Sequence, residues 1–314
     1  MASKINRRKF FKDTAISATG MMLTSNLLGC NPERESEKSS YELMKEVKKY
    51  RKLDAHAHVY LSPDSDPEVV IDFADRLGIE KLCVSRPITN YSGTEPEDPE
   101  QVRESNDLVI KAVKQYPDRL IGFLTLNPVY PKESLEEIDR CVDLGMAGYK
   151  GYTQVKINDP LYFPIIEKFI NLKMIMLMHG FCQLGLGGYR MKYDIGEAPN
   201  TSIPEDFVDA AKRYPEAMFQ FAHIGGGADW EYECKLFKDY PNIYVDTSGS
   251  NNEEKMIDFA VKYLGENRLF YGSDGSYYQG VGKILASNLN ESQKEKIFFD
   301  NYNNILKKGG NGVA

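Results

Sequence analysis

His56 and His58 stand one residue apart in "KLDAHAHVY" (52–60), and the other two of the chain's four histidines, His179 and His223, close the apolar runs "MIMLMH" and "MFQFAH". Residues i and i+2 of a strand project to the same side. His56 and His58 can therefore address one point, and imidazoles gathered at one point bind a divalent cation. Asp274 follows another apolar run in "RLFYGSDGS". A carboxylate there could touch the ion and also take a proton from its bound water, whose pKa a divalent metal brings down to about 7. Taken alone, Asp274 is equally well read as a helix cap or a turn residue. Asp54 shares the face of the two histidines, one layer deeper, where it either orients a ligand or closes the floor beneath them.

These residues need a scaffold that brings distant segments to one place. Short apolar runs recur along the chain at 52–57, 80–85, 120–126, 146–151, 174–179, 218–223, 243–248 and 268–273. Several are almost wholly apolar, as expected of strands covered on both faces of a parallel sheet. Amphipathic stretches separate them. "PEVVIDFADRLG" and "PKESLEEIDRCVDLG" begin with Pro and stop at Gly, the usual helix punctuation. Eight strands alternating with eight helical segments predict an α/β fold of the (β/α)8 TIM-barrel type. A doubly wound open sheet is the rival, but it usually carries a glycine-rich phosphate loop after its first strand, and here that strand ends in histidines. In a barrel, all four histidines and Asp274 fall at C-terminal strand ends, where barrel active sites lie. The long connection from Gly180 to Pro204 leaves the fifth strand on that side and is expected to cover a substrate.

"DAHAH", the histidines of "LMHG" and "FAHIGGG", and the aspartate of "YGSD" occur in the order found in the amidohydrolase superfamily. Together with "YPDRLIGFLTLNP" and "EKIFFDNYNNIL", they make residues 51–308 resemble its amidohydrolase-related branch (amidohydrolase 2), which includes aminocarboxymuconate-semialdehyde decarboxylase. The resemblance implies that His56, His58, His179 and Asp274 bind a divalent metal, usually zinc, with Mn²⁺ or Fe²⁺ also compatible. It implies that His223 binds a second metal or hydrogen-bonds the metal-bound water. Lys150, in "GYKGY", then has three readings: a carbamylated bridge between two ions, an anchor for a substrate carboxylate, or an ordinary surface lysine. Arg86 in "CVSRP" is a second carboxylate anchor or a solvated loop residue. Trp230 walls the pocket or packs where a helix starts, and Tyr152 and Tyr189 are weaker pocket candidates.

The expected chemistry is metal-dependent hydrolysis of a small ester, lactone or amide, with Asp274 moving the proton and His223 placing the water or stabilising the attacked oxygen. The alternative is non-oxidative decarboxylation of a carboxylated ring or muconate-type acid, with Arg86 and Lys150 on the carboxylate. A binding protein that kept the barrel and lost catalysis is a third class, and it is disfavoured because every ligand is present. The net charge of −7 and the lack of a basic stripe argue against nucleic acid as a partner. A small molecule is the expected partner, and assembly into a homo-oligomer is compatible with the sequence.

Residues 1–30 read as an export signal. Arg7 and Arg8 before "KFFKDTAIS" resemble a twin-arginine signal, and "LLGC" resembles a lipoprotein box with Cys30 as the lipidated residue. A polar tether is expected over 31–50 and the catalytic barrel over 51–310. The implied location is the bacterial cell envelope, with membrane contact only through the lipid. The remaining thiols, Cys83, Cys141, Cys182 and Cys234, show no pairing pattern and are expected to be free and mostly buried.

Overall fold

The computed structural model describes residues 42–59, 66–88, 97–182, 200–224 and 229–314. The chain divides into a preceding segment, Met1–Leu43, and a compact unit, Met44–Ala314. The export signal, Cys30, most of the tether, Tyr189 and most of the 180–204 connection lie outside the described residues. Where the tether was expected to reach residue 50, Leu43–Lys49 forms helix α1. The apolar spacing of Val47 and Tyr50 explains this, because both side chains are buried.

The eight expected strands form one sheet in sequence order, β1 to β8, and every neighbouring pair is parallel. They are β1 Leu53–His58, β2 Lys81–Ser85, β3 Leu120–Leu124, β4 Gly148–Gly151, β5 Met176–Met178, β6 Phe219–Phe221, β7 Ile243–Asp246 and β8 Leu269–Phe270. Backbone hydrogen bonds Ala55 N to Tyr271 O (2.9 Å) and Asp274 N to His56 O (2.7 Å) carry the pairing from β8 back to β1. This is the TIM-like barrel expected from the alternating pattern.

Helices follow the strands: α2 Asp66–Leu77, α3 Pro99–Gln115, α4 Pro131–Asp143, α5 Phe163–Leu172, α6 Pro204–Arg213, α7 Trp230–Phe237, α8 Met256–Leu264 and α9 Tyr277–Leu285. Then come α10 Glu291–Glu295, a π-helical turn Lys296–Asp300, and α11 Asn301–Lys308. Apolar residues on the outer strand faces pack under the helices, as with Leu82, Tyr149, Phe219 and Tyr271. A second apolar cluster joins Cys83, Phe123, Leu177 and Phe270 to Tyr302, Ile305 and Leu306 of α11. The four cysteines of the described residues form no disulfide and are buried. Among the described residues no helix is long and apolar enough to cross a membrane.

The second cluster has little slack. A Cβ on Gly148 would lie 2.4 Å from the ring of Phe123, which also packs on Tyr302. We expect Gly148→Ala to lower stability by about 1–3 kcal/mol in urea unfolding. Adding Phe123→Leu should give a double variant less destabilised than the two single losses summed.

Candidate metal centre

The strand ends bring the predicted residues together. His56 and His58 occupy β1, and both are buried. His179 comes directly after β5, His223 two residues after β6, and Asp274 beyond β8. His56 Nε2 lies 3.1 Å from His58 Nε2. Asp274 Oδ1 lies 2.9 Å from His58 Nε2 and 3.5 Å from His56 Nε2. On the other side of the carboxylate, Asp274 Oδ2 lies 3.5 Å from His223 Nδ1. His56, His223 and Asp274 offer donor atoms that all fall within 4.8 Å of one another, a spacing able to hold a metal ion. His179 joins through His223, its Nδ1 lying 3.2 Å from His223 Nε2.

Hydrogen-bond partners set the tautomers. His56 Nδ1 faces Asp246 Oδ2 at 3.1 Å. An ionised carboxylate only accepts, so Nδ1 carries the proton and Nε2 the lone pair. His58 Nδ1 lies 3.0 Å from Ser85 Oγ, which leaves His58 Nε2 toward Asp274. Two imidazole nitrogens and a carboxylate oxygen thus crowd together with too few protons among them. A divalent cation would supply the missing positive charge. Donors bound tetrahedrally at about 2.0–2.1 Å would stand roughly 3.3 Å apart, close to what the three atoms show. The donor set therefore fits a divalent ion.

Electrostatics agree. Burial lowers His58 to about 4, despite the opposing pull of Asp274, and burial holds His223 well below the usual imidazole range. Both rings are therefore neutral, as ligands must be. Burial alone would raise the Asp274 carboxyl, but the imidazoles of His56, His58 and His223 outweigh it and hold the group well below the usual carboxylate range.

Asp246 is the residue that sequence reasoning missed. It ends β7 and is fully buried. Besides His56 Nδ1, its Oδ2 accepts from Gln220 Nε2 at 2.9 Å. Its Oδ1 accepts from His223 N at 3.1 Å, Ser248 N at 3.0 Å and the Ser248 hydroxyl. Ser248 Oγ in turn lies 2.9 Å from His223 Nδ1 and 3.3 Å from His56 Nδ1. One signal was available: "IYVDTS" is an apolar strand ending in an acid, like the stretch before Asp274.

Asp54 Oδ1 accepts from the main-chain N–H of His56 and of Ser273, each at 3.0 Å. It therefore ties the backbone of β1 to the turn that carries Asp274, which favours the orienting role over floor closure. Its other oxygen is buried without a hydrogen bond, and burial raises the carboxyl to about 7. His223 and Asp274 both take left-handed backbone (φ 65° and 47°), a conformation costing of order 1–3 kcal/mol for a residue with a side chain. Gly249 makes the first possible by close approach, since a Cβ there would lie 2.9 Å from His223 Cβ.

Lys150, in β4, is buried, so the surface-lysine reading falls: its strand position turns the side chain away from solvent. Its Nζ sits 4.7 Å from the centroid of the Tyr152 ring, and Tyr152 is itself 6.5 Å from the His58 ring. Burial lowers Lys150 to about 8, with Asp274 and Asp246 opposing the shift. Arg86 is half-buried directly after Ser85. Trp230 opens α7 and meets Phe259 edge-on at 5.2 Å, a contact between helices that matches the packing alternative. The ends of the long connection are pinned by Phe181 N to Ser202 O (3.0 Å) and Ile157 N to Ser202 Oγ (2.9 Å).

A parallel barrel with imidazoles and a carboxylate converging at its strand ends has the form of a metal-dependent barrel enzyme. The amidohydrolase family model Amidohydro_2 matches residues 53–301, and the chain belongs to that family. The chain is 24% identical over 282 residues to 2-amino-3-carboxymuconate-6-semialdehyde decarboxylase of Dictyostelium discoideum, covering 81% of this chain and 76% of that protein. Among solved structures it is similar to 2,6-dihydroxybenzoate decarboxylase from Rhizobium (TM-score 0.67, 18% identity, 83% of this chain and 100% of that one). It is also similar to dihydroxybenzoic acid decarboxylase from Polaromonas sp. JS666, solved with manganese and 2-nitroresorcinol (TM-score 0.65, 19% identity, 82% and 97%).

Removing the buried carboxylate charge behind His56 should weaken metal binding. Asp246→Asn is expected to bind Mn²⁺ or Zn²⁺ roughly 10–100-fold more weakly by titration calorimetry. An unchanged affinity would remove Asp246 from the support of the ligands.

Proposed function

We propose that this protein is a metal-dependent non-oxidative decarboxylase acting on a small carboxylated ring or muconate-type acid. Hydrolysis of a neutral ester, lactone or amide, the expected chemistry at first, is the less favoured reading. The observation that carries the choice is Lys150. Its ammonium is buried near the donor cluster, and among the described residues no carboxylate hydrogen-bonds it. A buried cation without a partner is costly, and a substrate carboxylate would provide the partner. The curated relative and the two similar solved structures named above are decarboxylases, which supports the same choice.

In this proposal His56, His58, His179 and Asp274 hold one divalent ion, zinc or manganese, with His223 beside it. The ion supplies Lewis-acid polarisation of the bound substrate. Lys150, with Arg86 at the neighbouring strand end, holds a substrate carboxylate. The bond from ring or alkenyl carbon to carboxylate breaks, carbon dioxide leaves, and the carbon left behind takes one proton. We assign that proton to Asp274; its position between the β1 imidazoles on the Oδ1 side and His223 on the Oδ2 side supports the reading. A carbamylated Lys150 bridging two ions has less support, since a single cluster of donors is recorded among the described residues.

Incubating metal-loaded protein in D₂O or H₂¹⁸O with carboxylated aromatic and muconate-type acids, and in parallel with small esters, lactones and amides, tests this. Release of CO₂ with one solvent deuteron on product carbon is expected. Incorporation of ¹⁸O into product without CO₂ would replace the proposal with hydrolysis. Asp274→Asn should abolish turnover, and Lys150→Met should raise KM at least tenfold.

The N-terminal reading, export followed by lipid attachment at Cys30, rests on sequence alone. It predicts labelled fatty acid on the mature chain in a bacterial host, lost in Cys30→Ala. A chain in the soluble fraction with an intact N-terminus would overturn it.

A further inference from the structure

Lys283 lies in α9, outside the donor cluster, and is half-buried. Its ammonium donates to three successive backbone carbonyls just past β7: Thr247 (3.1 Å), Ser248 (3.4 Å) and Gly249 (2.7 Å). An ammonium has three N–H donors, so all are directed at one short stretch of chain. That stretch has a second task on its opposite side. Ser248 Oγ touches Nδ1 of both His56 and His223, and Gly249 packs against His223 Cβ. The stretch is thus clamped between a lysine from the helix after β8 and two imidazoles of the site. The carbonyls can converge because a cation sits at their focus. Without it, three carbonyl dipoles would point together into a partly buried space, and the loop would relax. Burial draws Lys283 down to about 8, opposed by Asp246 and Glu253.

We propose that Lys283 is a positioning residue: by gathering the carbonyls of Thr247, Ser248 and Gly249 it holds Ser248 against His56 and His223, and so sets the orientation of two imidazoles it does not touch. A role in general stability would disturb all four histidines or none. The proposed role disturbs a particular pair. His58 is held from a different side, by Ser85.

The chain's four histidines make this readable. In metal-free protein labelled with ¹⁵N-histidine, wild type should give Nδ1–H signals for His56 and His223, assigned through single His→Gln variants. In Lys283→Met these two should broaden or shift toward a tautomer mixture while His58 Nδ1 stays in place. The second readout is Co²⁺ binding, followed by its visible absorption. Lys283→Met should raise the Co²⁺ Kd about tenfold, in the range of supporting-residue losses at metal sites. In a Ser248→Ala background, adding Lys283→Met should change Kd less than twofold, because the route through Ser248 is already cut. Lys283→Arg, which keeps the charge and the N–H donors, should keep the wild-type signals. If Lys283→Met does not fold, Lys283→Gln, which keeps donors without charge, takes its place with the same expectations.

A folded variant with four unchanged imidazole signals and wild-type Kd would overturn the proposal. So would Lys283→Met and Ser248→Ala effects that multiply in the double variant. Only the Co²⁺ arm rests on the metal reading of the site. Wild type that binds no Co²⁺ would sink that reading, while the imidazole signals would still decide the role of Lys283.

Discussion

A fully buried carboxylate has to be surrounded by hydrogen-bond donors, and Asp246 imposes that condition on the centre of this barrel. In water its charge would be solvated from every side, whereas inside the barrel that solvation comes from neighbours. The donors arrive from β1 (His56 Nδ1), from β6 and the residues after it (Gln220 Nε2, His223 N) and from the chain leaving β7 (Ser248 N and Oγ). Meeting the need of one charge therefore fixes three strand ends relative to one another. It also fixes the proton of His56 on Nδ1 and turns its Nε2 lone pair toward Asp274. Burial pushes the Asp246 carboxyl up, but His56, His223 and Ser248 outweigh burial and hold it ionised far below neutrality. The strained backbone of His223 persists because its N–H is held by that same carboxylate.

What was legible in the sequence follows from this division of labour. The barrel was legible because each strand is a short apolar run and each helix an amphipathic one, and neither pattern needs knowledge of distant contacts. The histidines and Asp274 were legible because their residue types are rare or out of place at the ends of such runs. The apolar runs overreach the strands from β3 to β8, most at β5, β6 and β8. After β6 and β8 the chain leaves extended geometry before the functional residue, where His223 and Asp274 take left-handed backbone. Asp246, Ser85, Ser248 and Lys283 were not singled out. Serines and lysines are common, and these acquire a role only when the barrel sets β2 beside β1, the end of β7 against His56, and α9 beside the chain leaving β7. Lys150 was half legible: its place at a strand end was visible, but its burial depends on which face of β4 turns inward.

The donor set alone leaves the reaction open, because imidazoles and a carboxylate around a divalent ion serve hydrolysis and decarboxylation equally well. The balance of charge supports the proposed choice between them. Around the cluster stand two ionised carboxylates, Asp246 and Asp274, the neutral imidazoles of His58 and His223, and two ammoniums, Lys150 within the barrel and Lys283 behind the chain leaving β7; Asp54, raised to about 7, is partly ionised near neutrality. Before a metal binds, these charges nearly cancel, and a divalent ion leaves the interior positive. A neutral ester or amide would leave that positive charge to be met by the ionisation of water, in a low-dielectric space where electrostatic energies are large. A substrate bearing a carboxylate would neutralise it. In the proposed function the metal ligands would supply the means of polarising a substrate, and the lysine on β4 would select the acid on which that polarisation acts.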